Sequence, residues 1–491
     1  MDNKLGHQEV GGEIKMRKTK IICTIGPASD NEETLRKLML AGMNVARINF
    51  SHGNYEEQLP KIELVKKLRK ELNLPVALLL DTKGPEVRIG KFKDEKVYLN
   101  EGDVFVLTPE EILGTKERFT ISYKNLAHEV KIGDKILIDD GLVGTEIIDI
   151  KGDEVYCKVL NGGPISNRKS ANLPGVSLNL PVMTEKDKDD LIKGAQAGFD
   201  FIAASFVRKA QDVKDIRDLI STHGGEKIRI ISKIENREGV NNFDEILKAS
   251  DGIMIARGDL SVEIPMEEVP IIQKDFIKKT IREGKIVVTA TQMMDSMIHN
   301  PRPTRAEVSD VSNAIFDLSG GIMLSGESAN GHYPVECVEM MDKIAKTTEA
   351  SINYWKRFRQ REYDLENREF RFNIYNGVCV SAMNLKAKAI VTYTVSGSTA
   401  RIVSSFTPKC PIYAITDNEK VWRQLNLQWN VYPILVEKNE NVDEMIHVGI
   451  DRLKEEGKLV KDDLVIIAGG AYILPEIESP INKVIGGIVK I

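Results

Sequence analysis

Along residues 18–326, short apolar runs rich in β-branched residues recur, and helix-period segments separate them. The runs are "KTKIICTIG" (18–26), "NVARINF" (44–50), "PVALLLDTK" (75–83), "FDFIAASFV" (199–207), "KIRIISKIE" (227–235), "GIMIARGDL" (252–260), "KIVVTATQM" (285–293) and "GIMLSG" (321–326). Apolar residues at helical spacing fill 31–41, 55–72, 185–197, 210–222, 240–249, 266–283, 304–317 and 334–350. Cap-type residues precede several of them, as in Ser29-Asp30-Asn31 and Thr184-Glu185-Lys186-Asp187. Strands apolar on both faces are buried between helices. Eight of them in βα alternation predict a (β/α)8 TIM barrel of class α/β, with a doubly wound open sheet as the structural alternative.

One connection breaks the rhythm. Between Asp81 and Thr184 the helical period gives way to alternating strands with Asp-Gly and Gly-Gly turns, as in "KIGDKILIDDGLVGTEIID" and "DEVYCKVLNGG". That pattern predicts a small all-β lid inserted after the third barrel strand and closing on the hinge-like "RKSANLPGVSLNLP". Beyond residue 350 a charged connector, "YWKRFRQREYDLENREF", leads into a second α/β alternation with strands at "AKAIVTYT", "CPIYAIT", "VYPILVE" and "DDLVIIAGG". The expected division is therefore a leader at 1–16, a barrel at 17–84 and 184–352, a β-barrel lid at 85–183, and a C-terminal α/β regulatory domain with a mostly parallel sheet at 353–491.

Composition narrows the classes. The chain has 491 residues, 42% hydrophobic and 29% charged, with a formal net charge of −5. An acidic balance leaves no basic footprint for nucleic acid. Five scattered cysteines without a CxxC pair suit reduced thiols in a cytoplasm rather than a disulfide frame or a zinc site. No apolar run approaches a membrane span, and the first twenty residues lack the apolar core of a signal peptide.

The barrel-strand C-termini, where such folds carry their chemistry, are unusually polar. The second run supplies Arg47, Asn49 and Ser51 on one face with His52 beyond, and the third supplies Asp81, Thr82, Lys83, Glu86 and Arg88. The fifth supplies Lys233 and Glu235, the sixth Asp259, the seventh Thr289 and Thr291, the eighth Glu327. Glu235 and Asp259 on neighbouring strands offer two hard oxygens to a divalent cation such as Mg²⁺. Either could instead sit in an ion pair with Arg257 or Lys233. Asn49, Ser51 and Asp81 suit a weakly held monovalent cation or phosphate-bound water, while Arg47, Lys233 and Arg88 add the positive charge an anionic substrate requires. The residues alone imply a Mg²⁺-dependent barrel enzyme acting on a small phosphorylated or carboxylated substrate.

The motifs "IICTIGPAS", "GMNVARINFSHG", "LLDTKGPEVR", "IISKIEN", "DGIMIARGDL", "TATQMM…PRPTRAEVSDV" and "IMLSGESANGHYP" occur in this order. Together they resemble the pyruvate kinase family, from about residue 17 to the C-terminus. The resemblance implies phosphoryl transfer from phosphoenolpyruvate to ADP, giving pyruvate and ATP. It implies Mg²⁺ or Mn²⁺ on Glu235 and Asp259, and Lys233 against the transferring phosphoryl and the enolate oxygen. Arg47 would hold the phosphate. Ala256, Arg257, Gly258 and Asp259, with Thr291, would bind the substrate around its carboxylate, and Thr291 would relay a proton to the enolate through water. Asn49, Ser51, Asp81 and Thr82 would hold K⁺, and Asn49, Phe50, Ser51, His52, Arg88 and Lys169 the nucleotide. Glu86 in "DTKGPE" would mark a K⁺-requiring member.

The loop "TVSGSTAR" (394–401) resembles the family's effector site, with Thr394, Ser396, Gly397, Ser398 and Thr399 facing a sugar phosphate or nucleotide. An ordinary capped βα turn is the other reading, and "AYILPEIESPIN" departs from the Gly- and Thr-rich loop of many relatives. A cytoplasmic homotetramer is expected. The alternatives are another Mg²⁺-enolate barrel lyase and a non-catalytic relative.

Overall fold

The structure is a computed structural model, and it describes residues 16–361, 370–469 and 485–491. The expected leader, apart from Met16, and all of "AYILPEIESPIN" lie outside the described residues. Eight strands form the barrel: β1 (Lys20–Thr24), β2 (Val45–Asn49), β3 (Ala77–Asp81), β4 (Phe201–Ala204), β5 (Arg229–Ile234), β6 (Gly252–Ala256), β7 (Ile286–Ala290) and β8 (Gly321–Leu324). All neighbours pair in parallel and β1 pairs with β8, so the sheet is closed and the open-sheet alternative falls. Strand alternation divides the residues between two cores. Ile22, Val45, Leu79, Phe201, Met254 and Val288 fill the interior, while Ile21, Ala46, Leu78, Ile202 and Ile253 pack against the helices.

Two predicted strands run too long. The sixth stops at Ala256, because Arg257 already begins a helix, Arg257–Glu263, that carries Asp259 in its first turn. The seventh stops at Ala290, where Thr291 (φ 68°) and Gln292 (φ 52°) turn left-handed and end the ladder.

The inserted segment builds a six-stranded sheet that includes Val104–Thr108, Val143–Lys151 and Glu154–Asn161. Its own core includes Leu99, Phe105, Phe119, Ile136 and Ile147. The returning chain is tied to the barrel: Arg208 donates to the carbonyls of Leu178 (2.9 Å) and Leu180 (2.7 Å), and Asn172 Nδ2 donates to Glu263 Oε1 (3.0 Å).

The C-terminal sheet holds β9 (Ala389–Tyr393), β10 (Ile412–Thr416), β11 (Val431–Leu435), β12 (Leu464–Gly469) and β13 (Ile485–Lys490) in the order β11-β10-β9-β12-β13. All pairs are parallel except β12–β13. It docks on the barrel's N-terminal face. The fully buried Asp200 takes Arg423 Nε at 3.0 Å and the Leu78 amide at 2.9 Å. Lys20, also buried, donates to the Val431 carbonyl at 2.6 Å and lies 4.6 Å from the Tyr432 ring centroid.

Burial, reinforced by Arg17 and Lys18 and opposed by Glu349, pushes the Lys20 ammonium down to about 7, well below the ordinary lysine value of about 10.4. Between those values the unfolded chain binds a proton that the folded chain has released. Stability from this group is therefore present at alkaline pH and is lost as pH falls through 7. Lys20→Met should consequently be more favourable relative to wild type at pH 6 than at pH 9. Paired thermal melts at the two pH values check this, and a pH-independent difference would contradict the shift.

Candidate functional site

Strand register brings the polar ends to one level. Asn49 pairs with Asp81, Asp81 with Ala203, Ala204 with Ser232, and Lys233 with Met254. Alternation then sets the direction. Ile231 packs in the barrel interior while Ile230 and Ile234 pack outside, so Lys233 and Glu235 share the inward parity of Ile231. Arg47 and Asn49 follow Val45, and Asp81 follows Leu79, in the same way.

Lys233 lies at the centre. Its Nζ donates to Ser205 Oγ at 2.7 Å and to Asp81 Oδ1 at 3.1 Å, and pairs with Glu235 Oε1 at 2.9 Å. Asp81 Oδ2 accepts from Arg47 Nε at 2.6 Å, and Arg47 also donates to Thr24 Oγ1 at 2.7 Å. Burial opposes the Asp81 charge, yet Arg47 and Lys233 hold its carboxyl below the usual range. Burial likewise opposes the Lys233 charge, and Asp81 and Glu235 outweigh it and raise its pKa. Glu235 is different. Burial, with Asp259 adding like charge against the pull of Lys233, pushes it up to about 7.

Glu235 and Asp259 have spare acceptor capacity. Glu235 Oε2 accepts from the Phe206 amide at 2.6 Å, but Oε1 has no aligned hydrogen-bond donor although Lys233 is close. Asp259 is half-buried, and no hydrogen bond or ion pair to its carboxylate is found among the described residues. A buried, unsatisfied carboxylate oxygen beside a second free carboxylate fits a hard divalent cation, whose remaining positions fall to water and substrate. Asn49, Ser51, Asp81 and Thr82 present amide, hydroxyl and carboxylate oxygens on adjacent strand ends, a donor set that suits a monovalent cation. Four of these oxygens are engaged: Asn49 Oδ1 accepts from the Ser51 amide at 3.1 Å, Thr82 Oγ1 from the Ser205 amide at 3.0 Å, and the two Asp81 oxygens from Arg47 and Lys233.

Several expected site residues are placed otherwise. The Arg257 guanidinium turns away from the rim to Asp310 (2.7 Å) and the Thr291 carbonyl (2.7 Å), so it braces the turn after β7. The Gly258 backbone meets the Thr291 side chain, whose Oγ1 accepts from the Gly258 amide at 2.8 Å. The Phe50 ring is fully buried between Tyr55 and Phe199, its amide donates to the Asp81 carbonyl at 3.0 Å, and its carbonyl accepts from Lys186 at 2.8 Å. His52 is exposed. Arg88 is paired with Glu86 at 2.6 Å and Lys169 with Asp139 at 2.8 Å, so both cations rest in ion pairs within the inserted segment. Thr289 is buried against Ser319, and Glu327 is buried accepting from the Met294 and Ser325 amides. Both serve structure.

In the 394–399 loop, Gly397 takes φ 79° and caps the helix Ser398–Ser405 without a side-chain acceptor. The Ser398 hydroxyl accepts from Arg371 at 3.2 Å, and Thr399 meets the Tyr375 hydroxyl at 3.2 Å. Ser396 is exposed and Thr394 buried. The pattern of charges along the strands did not single out Ser205 and Phe206, which hold Lys233 and Glu235. Ser205 shares the inward parity of Phe201 and Ala203, and that was the available signal.

A closed (β/α)8 barrel with a carboxylate pair beside fixed cations at its C-terminal rim is the arrangement of a barrel enzyme for anionic substrates. The comparisons with known proteins are specific. The family descriptions "Pyruvate kinase, barrel domain" and "Pyruvate kinase, alpha/beta domain" match residues 16–338 and 373–476. The chain is 52% identical to a pyruvate kinase of Clostridium acetobutylicum, over 93% of this chain and 96% of that one. It is 48% identical to a pyruvate kinase of Bacillus licheniformis, over 93% of this chain and 78% of the other. A crystal structure of a pyruvate kinase from Cryptosporidium parvum superposes with a TM-score of 0.90 at 38% identity, covering 96% of each chain. The chain belongs to the pyruvate kinase family.

If Glu235 and Asp259 hold the divalent cation, Glu235→Gln should weaken Mn²⁺ binding at least about tenfold in a titration followed by electron paramagnetic resonance. Asp310→Asn, on the far side of Arg257, should leave that binding unchanged. Equal affinity in Glu235→Gln and wild type would remove Glu235 from the metal site.

Proposed function

We propose that the chain transfers the phosphoryl group of phosphoenolpyruvate to ADP, giving pyruvate and ATP, the final step of glycolysis. The observation that carries this reading is a buried ammonium, Lys233, fixed beside Arg47 and facing a carboxylate pair with spare acceptor capacity. In the transfer the enol oxygen–phosphorus bond breaks and a bond to a terminal oxygen of ADP forms. The transition state is loose, so positioning and fixed charge supply most of the catalysis. Arg47 binds the phosphoryl oxygens, and Lys233 stabilises charge on the phosphoryl group and on the enolate left behind. The Gly258 amide and Thr291 hydroxyl bind the substrate carboxylate, and Thr291 relays a proton through water to the enolate carbon. Glu235 and Asp259 would hold Mg²⁺ or Mn²⁺, which neutralises phosphoryl and enolate oxygens, and Asn49, Ser51, Asp81 and Thr82 would hold K⁺, which adds charge beside the phosphate.

The nucleotide meets the backbone from Asn49 to His52 together with Arg88 and Lys169, once closure of the lid draws these cations from Glu86 and Asp139 and excludes water. A sugar-phosphate or nucleotide effector meets the uncapped amides at Gly397–Thr399. Arg229 and Arg401, both donating to the Ser396 carbonyl, add positive charge nearby. Met266 and Ile271, 70% and 71% exposed, offer an apolar face for subunit contact in a homotetramer. Among the described residues no helix is long and apolar enough to cross a membrane. The five buried free thiols suit a cytoplasmic location.

The deciding experiment is a lactate-dehydrogenase-coupled assay with phosphoenolpyruvate and ADP, run with and without Mg²⁺ and K⁺. Lys233→Met should retain less than about a tenth of wild-type kcat, since one preorganised stabilising group contributes roughly 3–4 kcal/mol to the barrier. Retention of more than that would reassign Lys233.

K⁺ should activate the wild type strongly. Glu86→Lys places a fixed ammonium near the cation site and should reduce the requirement. Equal wild-type rates in K⁺-free and K⁺-containing buffer would refute the monovalent site.

A further inference from the structure

The exit of β4 is the part of the rim that no charge pattern marks, yet it touches both charged groups of β5. The Lys233 ammonium has three N–H bonds and three neighbours. Two are carboxylates, which attract it from a broad range of directions. The third is the Ser205 hydroxyl, the nearest at 2.7 Å and directional in its lone pairs. The Ser205 proton has two acceptors in reach, and the Thr82 carbonyl at 2.6 Å is nearer than Asp81 Oδ1 at 3.3 Å, so Oγ donates to Thr82. That bond turns the lone pairs toward Lys233. A neutral acceptor also adds no negative charge to compete for the ammonium.

The next residue acts on the next charge. Phe206 adopts φ 54°, a conformation costly for a bulky side chain. The same turn aims the Phe206 amide at Glu235 Oε2, 2.6 Å away. The chain leaving β3 makes room for it. A Cβ on Gly84 would fall 2.7 Å from the Phe206 ring and 2.9 Å from Ser205 Cβ, and Gly84 itself has φ 75°. Glycine there is what allows the β4 exit to sit against the catalytic strand.

We propose that Ser205 is a positioning residue for phosphoryl transfer, aiming the Lys233 ammonium through its hydroxyl while the adjoining Phe206 amide fixes Glu235. The proposal rests on the function assigned above, and its test separates the two. In Ser205→Ala the ammonium loses its directional partner but keeps both carboxylates, so charge and burial persist. Loss of a hydrogen bond to a charged group corresponds to a kcat decrease of about 10- to 100-fold, with KM for phosphoenolpyruvate within about threefold of wild type. Ser205→Thr, which keeps a hydroxyl, should recover most of the lost kcat. Independently of turnover, competitive acetylation of the substrate-free protein, read by mass spectrometry, should label Lys233 several times faster in Ser205→Ala.

A wild-type kcat in Ser205→Ala overturns the proposal. So does a reduced kcat that Thr does not rescue and that comes with unchanged Lys233 labelling, since a general packing defect would give that result. A wild type inactive with phosphoenolpyruvate and ADP would refute the assigned reaction, and the labelling rates would still decide whether Ser205 orients Lys233.

Discussion

The fold and the site both depend on one constraint, the burial of the Lys233 ammonium at the top of the barrel. A charge of this kind costs several kcal/mol to desolvate unless partners compensate it. Asp81 and Glu235 are those partners, and Asp81 is in turn held by Arg47. The three carboxyl and cationic strands meet only if β2, β3 and β5 end at the same height, and closure of the sheet fixes that height. Loss of register by one residue would send Lys233 outward among Ile230 and Ile234. The charges therefore report the register, and the register makes the charges bearable.

The charge count explains the order of events at such a rim. Lys233 and Arg47 stand against Asp81, Glu235 and Asp259, so two cations face three carboxylates. Burial first, and then the like charge of Asp259, raise Glu235 to about 7 against the pull of Lys233. An anionic substrate entering this rim meets surplus negative charge on the Glu235–Asp259 side. A divalent cation there reverses the local sign, and Arg47 and Lys233 then act on the substrate without repulsion from behind. The carboxylate pair and the ammonium thus have complementary tasks, although only Ile234 separates Glu235 from Lys233 in sequence.

Much of this was legible in the chain. Apolar runs of the right length, separated by capped helices, gave the barrel, and the two-residue period of "IISKIEN" put Lys233 and Glu235 on its inner face. Residue type at a strand end was a weaker guide. Arg257, Thr289 and Glu327 have the chemistry of site residues, but the first braces a turn and the other two are satisfied within the core. Side-chain direction at these places depends on where the strand stops, and Ala256 and Ala290 stop earlier than the apolar pattern does. Ser205 escaped notice for the opposite reason: a single hydroxyl ends an apolar strand, and the left-handed turn at Phe206 leaves no trace in composition. The pairs Arg88–Glu86 and Lys169–Asp139 join residues whose partners a linear reading has no means to choose.

The same barrel strand links the two ends of the molecule. Arg229 opens β5 at the N-terminal face, where its guanidinium donates to the Ser396 carbonyl and to Gln424 Oε1, both at 3.1 Å. Lys233 lies four residues on, toward the rim. Strand geometry allows no slack over that distance, because each residue advances about 3.3 Å and is held by ladder bonds on both sides. Asp200 at the start of β4 is anchored by Arg423 in the same way, and the exit of β4 carries Ser205. The C-terminal domain thus holds both of these strands from below, as it also holds β1 through Lys20. Rigidity at the rim is in this sense a property of the docked pair of domains: within the barrel Asp200 keeps the Leu78 amide and Arg69, Arg229 keeps Asp251, and the C-terminal contacts add to these.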